Sequence, residues 1–399
     1  MLSEKQIEKY ADVLLWALNT ARKERYRKQE IILVRYDPAA VKLAETLQAK
    51  ILDRGMNPVL RGGNSPAMEW NFYHKAGEKQ LAFQVPGDRE LCQALNGAIY
   101  LNAPDSLTHL VDVDPKKIGK AAVARKPLRD ILDKREERGH FGWTLCLFPT
   151  LELAEQAGLT MERYEDQVLK ACYLDRPDPV REWKEIHSRA KAIKARLNRL
   201  KIEKLHVESE RTDLIIAPGE KRRWVGMTGH NIPSFELFLS PDWRGTSGVY
   251  FADQPSFRNG NRVEGVRLTF ERGSVIEAQA ERGEEFLRKQ LAADPGAARV
   301  GEFSLTDRRF SRIDHFMANT LYDENYGGPF GNCHLAIGSS YSETFDGDPA
   351  GLNKKKKERL GLNDSAIHWD LVNTEKKRVT AHLESGKKEL LYEDGAFTL

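Results

Sequence analysis

The first half of the chain alternates between apolar runs typical of buried strands and apolar stripes typical of amphipathic helices. A stripe at helical spacing predicts a helix over residues 4–22, and the nearly continuous apolar run at 30–36 predicts a strand buried on both faces. Asp37 and the proline after it predict the start of a helix that runs to Gly55. Further strands are predicted at residues 57–61, 98–101 and 143–148. This alternation predicts an α/β domain with a largely parallel sheet.

The pattern changes after the proline-containing turn at residues 175–179. Apolar residues from Trp183 to Leu200 step by three and four, which predicts a long connector helix. Beyond it the chain is rich in strand patterns. They are predicted at residues 205–209, 212–219, 248–251, 263–270 and 274–279, with a helix over 281–291. We therefore expect an α/β plus α+β fold: an N-terminal α/β domain at 1–178 and a β-rich, metal-binding catalytic domain at 179–399.

Near the C-terminal end, a strand pattern carries two metal-ligand side chains on one face. Alternate residues of a strand point to opposite faces, so His368 and Asp370 share a face, opposite Ile367 and Trp369. A single His-x-Asp pair is a weak signal, but the arrangement of a polar residue between apolar neighbours recurs upstream. We predict that these strands converge and pool six side chains, namely Glu236, Glu302, His334, Tyr341, His368 and Asp370.

Two imidazoles, three carboxylates and a phenol, without a thiolate, are a donor set that suits Zn, Co, Mn or Mg. One four-coordinate ion would not need so many donors, whereas two ions bridged by a carboxylate would, and such a pair lowers the pKa of a bound water and polarises a carbonyl or phosphoryl oxygen. Tyr341 could ligate a metal, donate a hydrogen bond to a developing oxyanion, or be a partly buried tyrosine with a bonded hydroxyl.

Composition narrows the class of protein further. A length of 399 residues predicts about two domains, and a net charge of +3 from 62 basic and 59 acidic residues gives no reason to expect nucleic acid or a membrane as partner. The basic stretch at 116–138 is interleaved with acids, which favours a solvated helix over a nucleic-acid groove. Four cysteines without a CxxC pair, no signal-peptide core and no membrane-length apolar run predict a cytoplasmic protein with reduced thiols.

Three other features have a simpler interpretation than a functional site. The glycine-rich piece at 61–65 lacks the phosphate-loop pattern, so we interpret it as a turn. His206 and Glu208 also share a strand face, but nothing nearby completes a ligand set. Residues 345–357 combine turn residues with a run of lysines, which indicates an exposed loop beside the site, with a substrate clamp as the alternative.

Several ordered motifs resemble those of the thermophilic-type metallo-aminopeptidases, peptidase family M29, the aminopeptidase T/S group. In the second half they are Asn231-Ile-Pro-Ser-Phe-Glu236, Val263-Glu-Gly-Val-Arg267, Gly301-Glu-Phe303, Tyr326-Gly-Gly-Pro-Phe-Gly-Asn-Cys-His-Leu-Ala-Ile-Gly338 and Asn363-Asp-Ser-Ala-Ile-His-Trp-Asp370. Residues 148–154, 157–164, 212–214 and 224 are also similar to the family pattern. The resemblance implies a homodimeric exopeptidase that removes N-terminal residues from peptides using two divalent cations. It implies ligands at Glu236, Glu302, His334, His368 and Asp370, with Glu302 as the bridge and Tyr341 near the metals.

Two departures from the family pattern bear on substrate preference. Phe235 stands where the family often has a small residue, so we expect it to crowd or reshape the pocket, and the segments at 327–333 and 346–362 are long. Our first hypothesis is a two-metal aminopeptidase in which Glu302 or Glu236 carries the proton to the leaving amine. The alternatives are a two-metal hydrolase of phosphoesters or another amide class, and a non-catalytic dimeric metal-binding protein.

Overall fold

Helices and strands alternate through the first half of the chain, and antiparallel strands dominate the second half. The computed structural model describes residues 2–398, so Met1 and Leu399, the outer ends of the two predicted domains, lie outside the described residues. The α-helices are α1 Glu4–Ala21, α2 Val41–Asp53, α3 Pro66–Lys75, α4 Glu78–Leu81, α5 Asp88–Ala94, α6 Pro115–Glu137, α7 Leu151–Gln156, α8 Met161–Ala171, α9 Pro179–Leu197, α10 Glu284–Leu291, α11 Thr320–Asp323 and α12 Lys354–Arg359.

Among residues 2–398 the strands lie in four sheets. They are β1 Ile31–Tyr36, β2 Asn57–Gly62, β3 Gly97–Asn102, β4 Gly142–Leu147, β5 Ile202–Glu208, β6 Asp213–Ile216, β7 Asn231–Ile232, β8 Glu236–Leu239, β9 Ser247–Ala252, β10 Ser256–Arg258, β11 Asn261–Val263, β12 Val266–Glu271, β13 Ser274–Gln279, β14 Val300–Thr306, β15 Asn332–Gly338, β16 His368–Asn373, β17 Arg378–Leu383, β18 Lys388–Glu393 and β19 Ala396–Phe397. Every strand predicted in the sequence overlaps an observed one, whereas β7, β10, β17, β18 and β19 were not predicted.

Contacts along the chain define two structural units. One consists of the chain up to Trp183 with Thr228–Ser234 and Asn259–Asn261, and the other consists of Lys184–Met227, Phe235–Arg258 and the chain from Arg262 onward. The sequence-based boundary between residues 178 and 179 stays a prediction.

The first unit contains the parallel sheet that the sequence predicts. Its strand order is β2-β1-β3-β4-β7, and every pair is parallel. The centre of β1 is buried, as its apolar run requires. Strand β7 was not predicted, because it is two residues long and joins the sheet from a distant part of the chain, with Asn231 opposite Leu145.

Local signals explain where the first helices begin and end. Helix α1 opens with a capping box in which Ser3 and Gln6 each accept a hydrogen bond from the other's backbone amide. Asp37 occupies the predicted N-cap position with Pro38 after it, but the helix that it begins is a short 3-10 helix at Pro38–Ala40, which leads directly into α2. The Asp37 side chain makes no capping hydrogen bond, and its Oδ2 instead accepts one from the Ala103 amide at 2.8 Å. Gly55 follows α2 with a φ of +71°, the left-handed conformation typical of a helix end.

The second unit combines an eight-stranded sheet with a smaller four-stranded sheet. The larger sheet has the order β13-β12-β9-β6-β5-β17-β18-β19, and the smaller has the order β16-β15-β14-β8 with every pair antiparallel. Every residue of β14 and β15 is buried. Tyr250 of β9 donates a hydrogen bond to the Leu371 carbonyl at 2.7 Å and so ties the larger sheet to β16. The predicted α/β plus β-rich fold is confirmed, and the four-stranded sheet carries the predicted ligands.

Two features bear on the predicted compartment. Cys146, Cys172 and Cys333 are buried, Cys92 is half-buried, and none of the four forms a disulfide. Across residues 2–398, no helix combines the length and apolarity that crossing a lipid bilayer would require.

Candidate metal centre

The register of the four-stranded sheet brings the predicted residues to one face. Side chains of residues that pair across an antiparallel ladder lie on the same face. Ala336, at the centre of β15, pairs with Glu302 on one side and with Asp370 on the other. Two residues along the same strand, His334 pairs with Ser304, and Glu236 begins the edge strand opposite Thr306. Ala336 is therefore a small residue on the floor of the site, between two carboxylates.

Two groups of potential ligands form on this face and share one residue. The first group is Glu236, Glu302 and His334, and the second is Glu302, His368 and Asp370. Within each group the ligand atoms all lie within 4.8 Å of one another. This spacing is close enough for each group to hold a single cation.

The shared residue uses a different oxygen toward each group. Glu302 Oε1 lies 3.0 Å from His334 Nε2, whereas Glu302 Oε2 lies 3.8 Å from His368 Nε2. His334 Nε2 is also 3.3 Å from Glu236 Oε2, and His368 Nε2 is 3.2 Å from Asp370 Oδ1. Glu302 is only 3% exposed, and its Oε2 has no hydrogen-bond partner among the described residues. A buried carboxylate oxygen without a partner is costly unless a cation binds it.

Neighbouring groups orient the ligands. Ser304 Oγ donates a hydrogen bond to Glu236 Oε2 at 2.9 Å. His368 Nδ1 lies 2.8 Å from the Ser339 carbonyl and donates a proton to it, which turns Nε2 toward Asp370 and makes Nε2 the nitrogen that would bind a cation once the ring is neutral. Such supporting contacts fix ring orientation at metal sites.

Burial and neighbouring charges shift the pKa values of Glu236, His334, His368 and Asp370. Burial, together with the charge of Glu302, raises the pKa of Glu236 to about 7. Burial alone would lower the pKa of His334 and His368, but the carboxylates beside each ring raise both values to about 9. Burial alone would raise the pKa of Asp370, yet His368 holds it below its ordinary value. Positive charge is therefore strongly favoured at this position, whether protons or cations supply it.

The ligand atoms and their spacing in this structure suit divalent cations. Imidazole nitrogens and carboxylate oxygens are ligands for Zn, Co and Mn, and carboxylates also suit Mg. The unpartnered Glu302 Oε2 and the two adjoining groups are what a pair of ions bridged by one carboxylate requires.

Tyr341 lies at the edge of the same site. Its ring centroid is 4.7 Å from that of His368 and 5.9 Å from that of Phe238, and its amide donates to Ser240 Oγ at 2.8 Å. The ring is 43% exposed. Loss of solvent around the hydroxyl, followed by the charges of Glu302 and Asp370, raises the pKa of Tyr341 well above its ordinary value. The hydroxyl therefore keeps its proton near neutral pH and can donate it in a hydrogen bond.

Phe235, the departure noted in the sequence, is fully buried. Its amide donates a hydrogen bond to Asn325 Oδ1 at 2.6 Å, which places the start of β8 against the turn at 319–325. Because no part of the Phe235 side chain reaches solvent, it contributes no exposed wall to a substrate pocket.

Sequence reasoning missed a seventh side chain near the site, that of the acidic residue Glu324. It is buried, and its pKa is raised well above its ordinary value by burial and by the charges of Glu236, Asp370 and Glu302. The Thr306 hydroxyl donates to the Glu324 carbonyl at 3.1 Å, which holds this turn beside β14. The available signal was the acidic pair at 323–324 between the aromatic residues Tyr322 and Tyr326.

Two other sequence features contribute no residue to either ligand group. His206 Nε2 lies 2.7 Å from Asp213 Oδ1 on the larger sheet, in a hydrogen-bond contact between neighbouring strands. The loop after Tyr341 is closed at its base by Ser340 and Asn363, whose backbones and the Ser340 hydroxyl exchange two hydrogen bonds of 2.9 Å. The loop therefore starts and ends beside the site, and the lysine run in it forms the short helix α12.

Comparisons with known proteins agree with the resemblance seen in the motifs. Residues 3–397 match the family described as thermophilic metalloprotease (M29). Aminopeptidase T of Thermus thermophilus is 31% identical over 313 residues, covering 73% of this chain and 74% of that protein. Aminopeptidase 2 of Geobacillus stearothermophilus is 26% identical over 420 residues, covering 98% and 97%.

A solved structure shares the whole fold. The structure titled wild-type AmpT from Thermus thermophilus covers 100% of both chains with a TM-score of 0.80 at 24% identity. The predicted family is thus confirmed, and the chain belongs to the M29 family of thermophilic metalloproteases.

Proposed function

We propose that this chain is a metal-dependent aminopeptidase that hydrolyses the N-terminal residue from peptides with two divalent cations. The family match and the aminopeptidases among its relatives support the enzyme class. The observation that carries the two-metal proposal is the single buried carboxylate, Glu302, shared by two ligand groups through its two oxygens.

Each ligand group would hold one ion. Glu236 and His334 would bind the first ion and His368 and Asp370 the second, with Glu302 between them. Bound divalent cations supply a Lewis acid for the scissile carbonyl and lower the pKa of water. The buried walls of β14 and β15 exclude bulk water around the ligands, which strengthens the electrostatic interactions there.

Tyr341 would stabilise the negative charge that develops on the carbonyl oxygen. Its hydroxyl keeps its proton near neutral pH, and its ring stands against that of His368. A donor aimed at a developing oxyanion contributes to the rate without being consumed. We therefore favour the donor role of Tyr341 over its role as a metal ligand.

A carboxylate must take a proton from the attacking water and give it to the leaving amine. Glu302 and Glu236 are the candidates from the sequence, and both belong to ligand groups. Glu324 lies outside both groups but within electrostatic reach of Glu236, Glu302 and Asp370. We propose Glu324 as the proton carrier, since its carboxylate is not needed as a ligand.

The cellular setting follows from the chemistry and from the family resemblance. We propose peptides with a free N-terminus as substrates, Zn, Co, Mn or Mg as the ions, and a homodimer as the assembly. The absence of disulfides at Cys92, Cys146, Cys172 and Cys333 is compatible with the reducing conditions of the cytoplasm, which is the location that we propose.

The test combines metal analysis with a substrate panel. The purified protein should cleave aminoacyl p-nitroanilides, lose this activity on chelation and regain it with one of the four ions, while phosphoesters and N-acetylated anilides are left intact. Turnover that survives exhaustive chelation, or turnover of phosphoesters alone, would overturn the proposal.

A further inference from the structure

A small cavity lies next to the second ligand group, and most of the residues that line it belong to neither ligand group. Asp370 belongs to that group and also lines the cavity, together with the polar residues Gln254, Ser256, Asn319, Thr320 and Asp323 and the apolar residues Pro255, Phe257 and Val372. The volume is about 10 Å³, which is room for about one water-sized group. The cavity therefore suits a small polar group that approaches the ligands, and it is too small for a side chain.

Gln254 presents a hydrogen-bond acceptor that nothing in the fold uses. The Thr374 hydroxyl donates to Asp253 Oδ2 at 2.6 Å, so it has no proton left and can only accept from Gln254 Nε2, 3.3 Å away. This fixes the amide with its nitrogen toward Thr374. Gln254 Oε1 has no partner among the described residues and is free to accept.

The other wall of the cavity is a rigid turn. Both oxygens of Asp323 accept backbone hydrogen bonds, from Met317 at 2.7 Å and from Asn319 at 2.9 Å, so its carboxylate is used to hold the turn. Asn319 Oδ1 accepts from the Leu321 amide at 3.1 Å and caps α11. The Thr320 hydroxyl has no partner among the described residues, which leaves it as a second free acceptor.

We propose that this cavity receives the free α-ammonium group of the substrate's N-terminal residue, an inference that rests on the proposed function. An ammonium group is about the size of a water and has three N–H donors and no acceptor. Gln254 and Thr320 line the cavity and would supply neutral acceptors through Oε1 and Oγ1. Asp370 uses Oδ1 toward the two imidazoles, and its other carboxylate oxygen would supply the negative charge. The cavity has no room for an acyl group or a further residue on the nitrogen. Binding of the amine there would therefore confine hydrolysis to the N-terminal end of a peptide.

The experiment compares enzyme variants by their affinity for two inhibitors of the same carbon skeleton, one with an amine and the other with a hydroxyl group. Gln254→Leu and Thr320→Val each remove one acceptor, and Gln279→Leu on the exposed face of β13 is the matched control. Inhibition of leucine p-nitroanilide hydrolysis is measured for 3-methylbutylamine and for 3-methylbutanol, with metal content and thermal unfolding recorded for each variant.

Gln254→Leu should raise the inhibition constant of the amine about tenfold to a hundredfold, the loss expected for one hydrogen bond to a charged group, and leave that of the alcohol unchanged. The KM for the anilide should rise with little change in kcat, Thr320→Val should act in the same direction, and Gln279→Leu should have no effect. Equal effects on amine and alcohol, or none on either, would show a cavity for structural water and overturn this proposal alone. A metal-loaded wild-type protein that does not cleave the anilide would instead overturn the proposed function.

Discussion

Glu302 Oε1 lies 3.0 Å from His334 Nε2, while the other oxygen of the same carboxylate is buried without a partner among the described residues. This relationship makes Glu302 the residue on which both ligand groups depend. In Glu302→Gln the amide keeps the size of the side chain but replaces one oxygen with a donor that cannot bind a cation. We expect a loss of activity of more than about a hundredfold, fewer bound ions per chain and an unchanged far-ultraviolet spectrum.

The matched control for this change is Glu277→Gln, on the exposed face of β13, which should behave as wild type. Near-wild-type turnover of Glu302→Gln with its full complement of metal would contradict the bridging role.

Ser304 tests how far the ligands depend on their neighbours. Ser304→Ala removes the hydrogen bond to Glu236 Oε2 without adding volume, on a strand that is buried throughout. Loss of such a supporting contact costs about tenfold to a hundredfold in metal affinity. Competition with a chelator of known affinity measures this loss, and the exposed Ser385→Ala serves as the control. An unchanged affinity would mean that Glu236 is held by other contacts.

Tyr341→Phe separates a hydrogen-bond donor from a metal ligand. The phenylalanine keeps the ring contacts with His368 and Phe238 but lacks the hydroxyl. We expect kcat to fall about a hundredfold, the effect of removing one oxyanion donor, with the metal content unchanged. If one ion is lost from the variant instead, Tyr341 is a ligand.

The pKa values of the two histidines predict how metal binding depends on pH. In the absence of metal, the pKa of His334 and that of His368 are each about 9, against an ordinary 6.5. A histidine whose pKa is raised by folding adds to the free energy of unfolding. This contribution is fully present below pH 6.5 and is lost as the pH rises through 9. Ligation needs neutral imidazoles, so metal affinity should rise over the same window.

Thermal unfolding with and without metal at pH 6.5 and at pH 9 measures both effects. The metal-free protein should unfold at a lower temperature at pH 9 than at pH 6.5, and added metal should raise that temperature most at pH 9. The control His206→Gln, which changes a histidine outside both ligand groups, should leave this difference unchanged. A metal effect that is the same at both pH values would contradict the assigned ligands.

Strand alternation explains what the sequence could predict about the site. Glu302 and Ser304 share a face, as do His368 and Asp370, because each pair is two residues apart on one strand. The same rule also put His206 and Glu208 on one face, and only the position of β6 shows that His206 pairs with Asp213 there. Alternation fixes the face of a strand, and it carries no information about which strands become neighbours.

The features that the sequence could not predict depend on contacts between distant segments. Ala336 is an ordinary small residue in the chain, and only the register of three strands makes it the floor between Glu302 and Asp370. Glu324 lies on a turn rather than a strand, so no periodicity marks it. Two residues at 231–232 become part of the parallel sheet only because β4 offers a free edge.

The most direct test of a carboxylate shared by two cations is electron paramagnetic resonance of the metal-free protein titrated with Mn²⁺. We predict an exchange-coupled spectrum that reaches its maximum at two ions per chain together with aminopeptidase activity, and that is absent in Glu302→Gln. Full activity at one ion per chain, with the spectrum of an isolated Mn²⁺, would contradict the shared carboxylate.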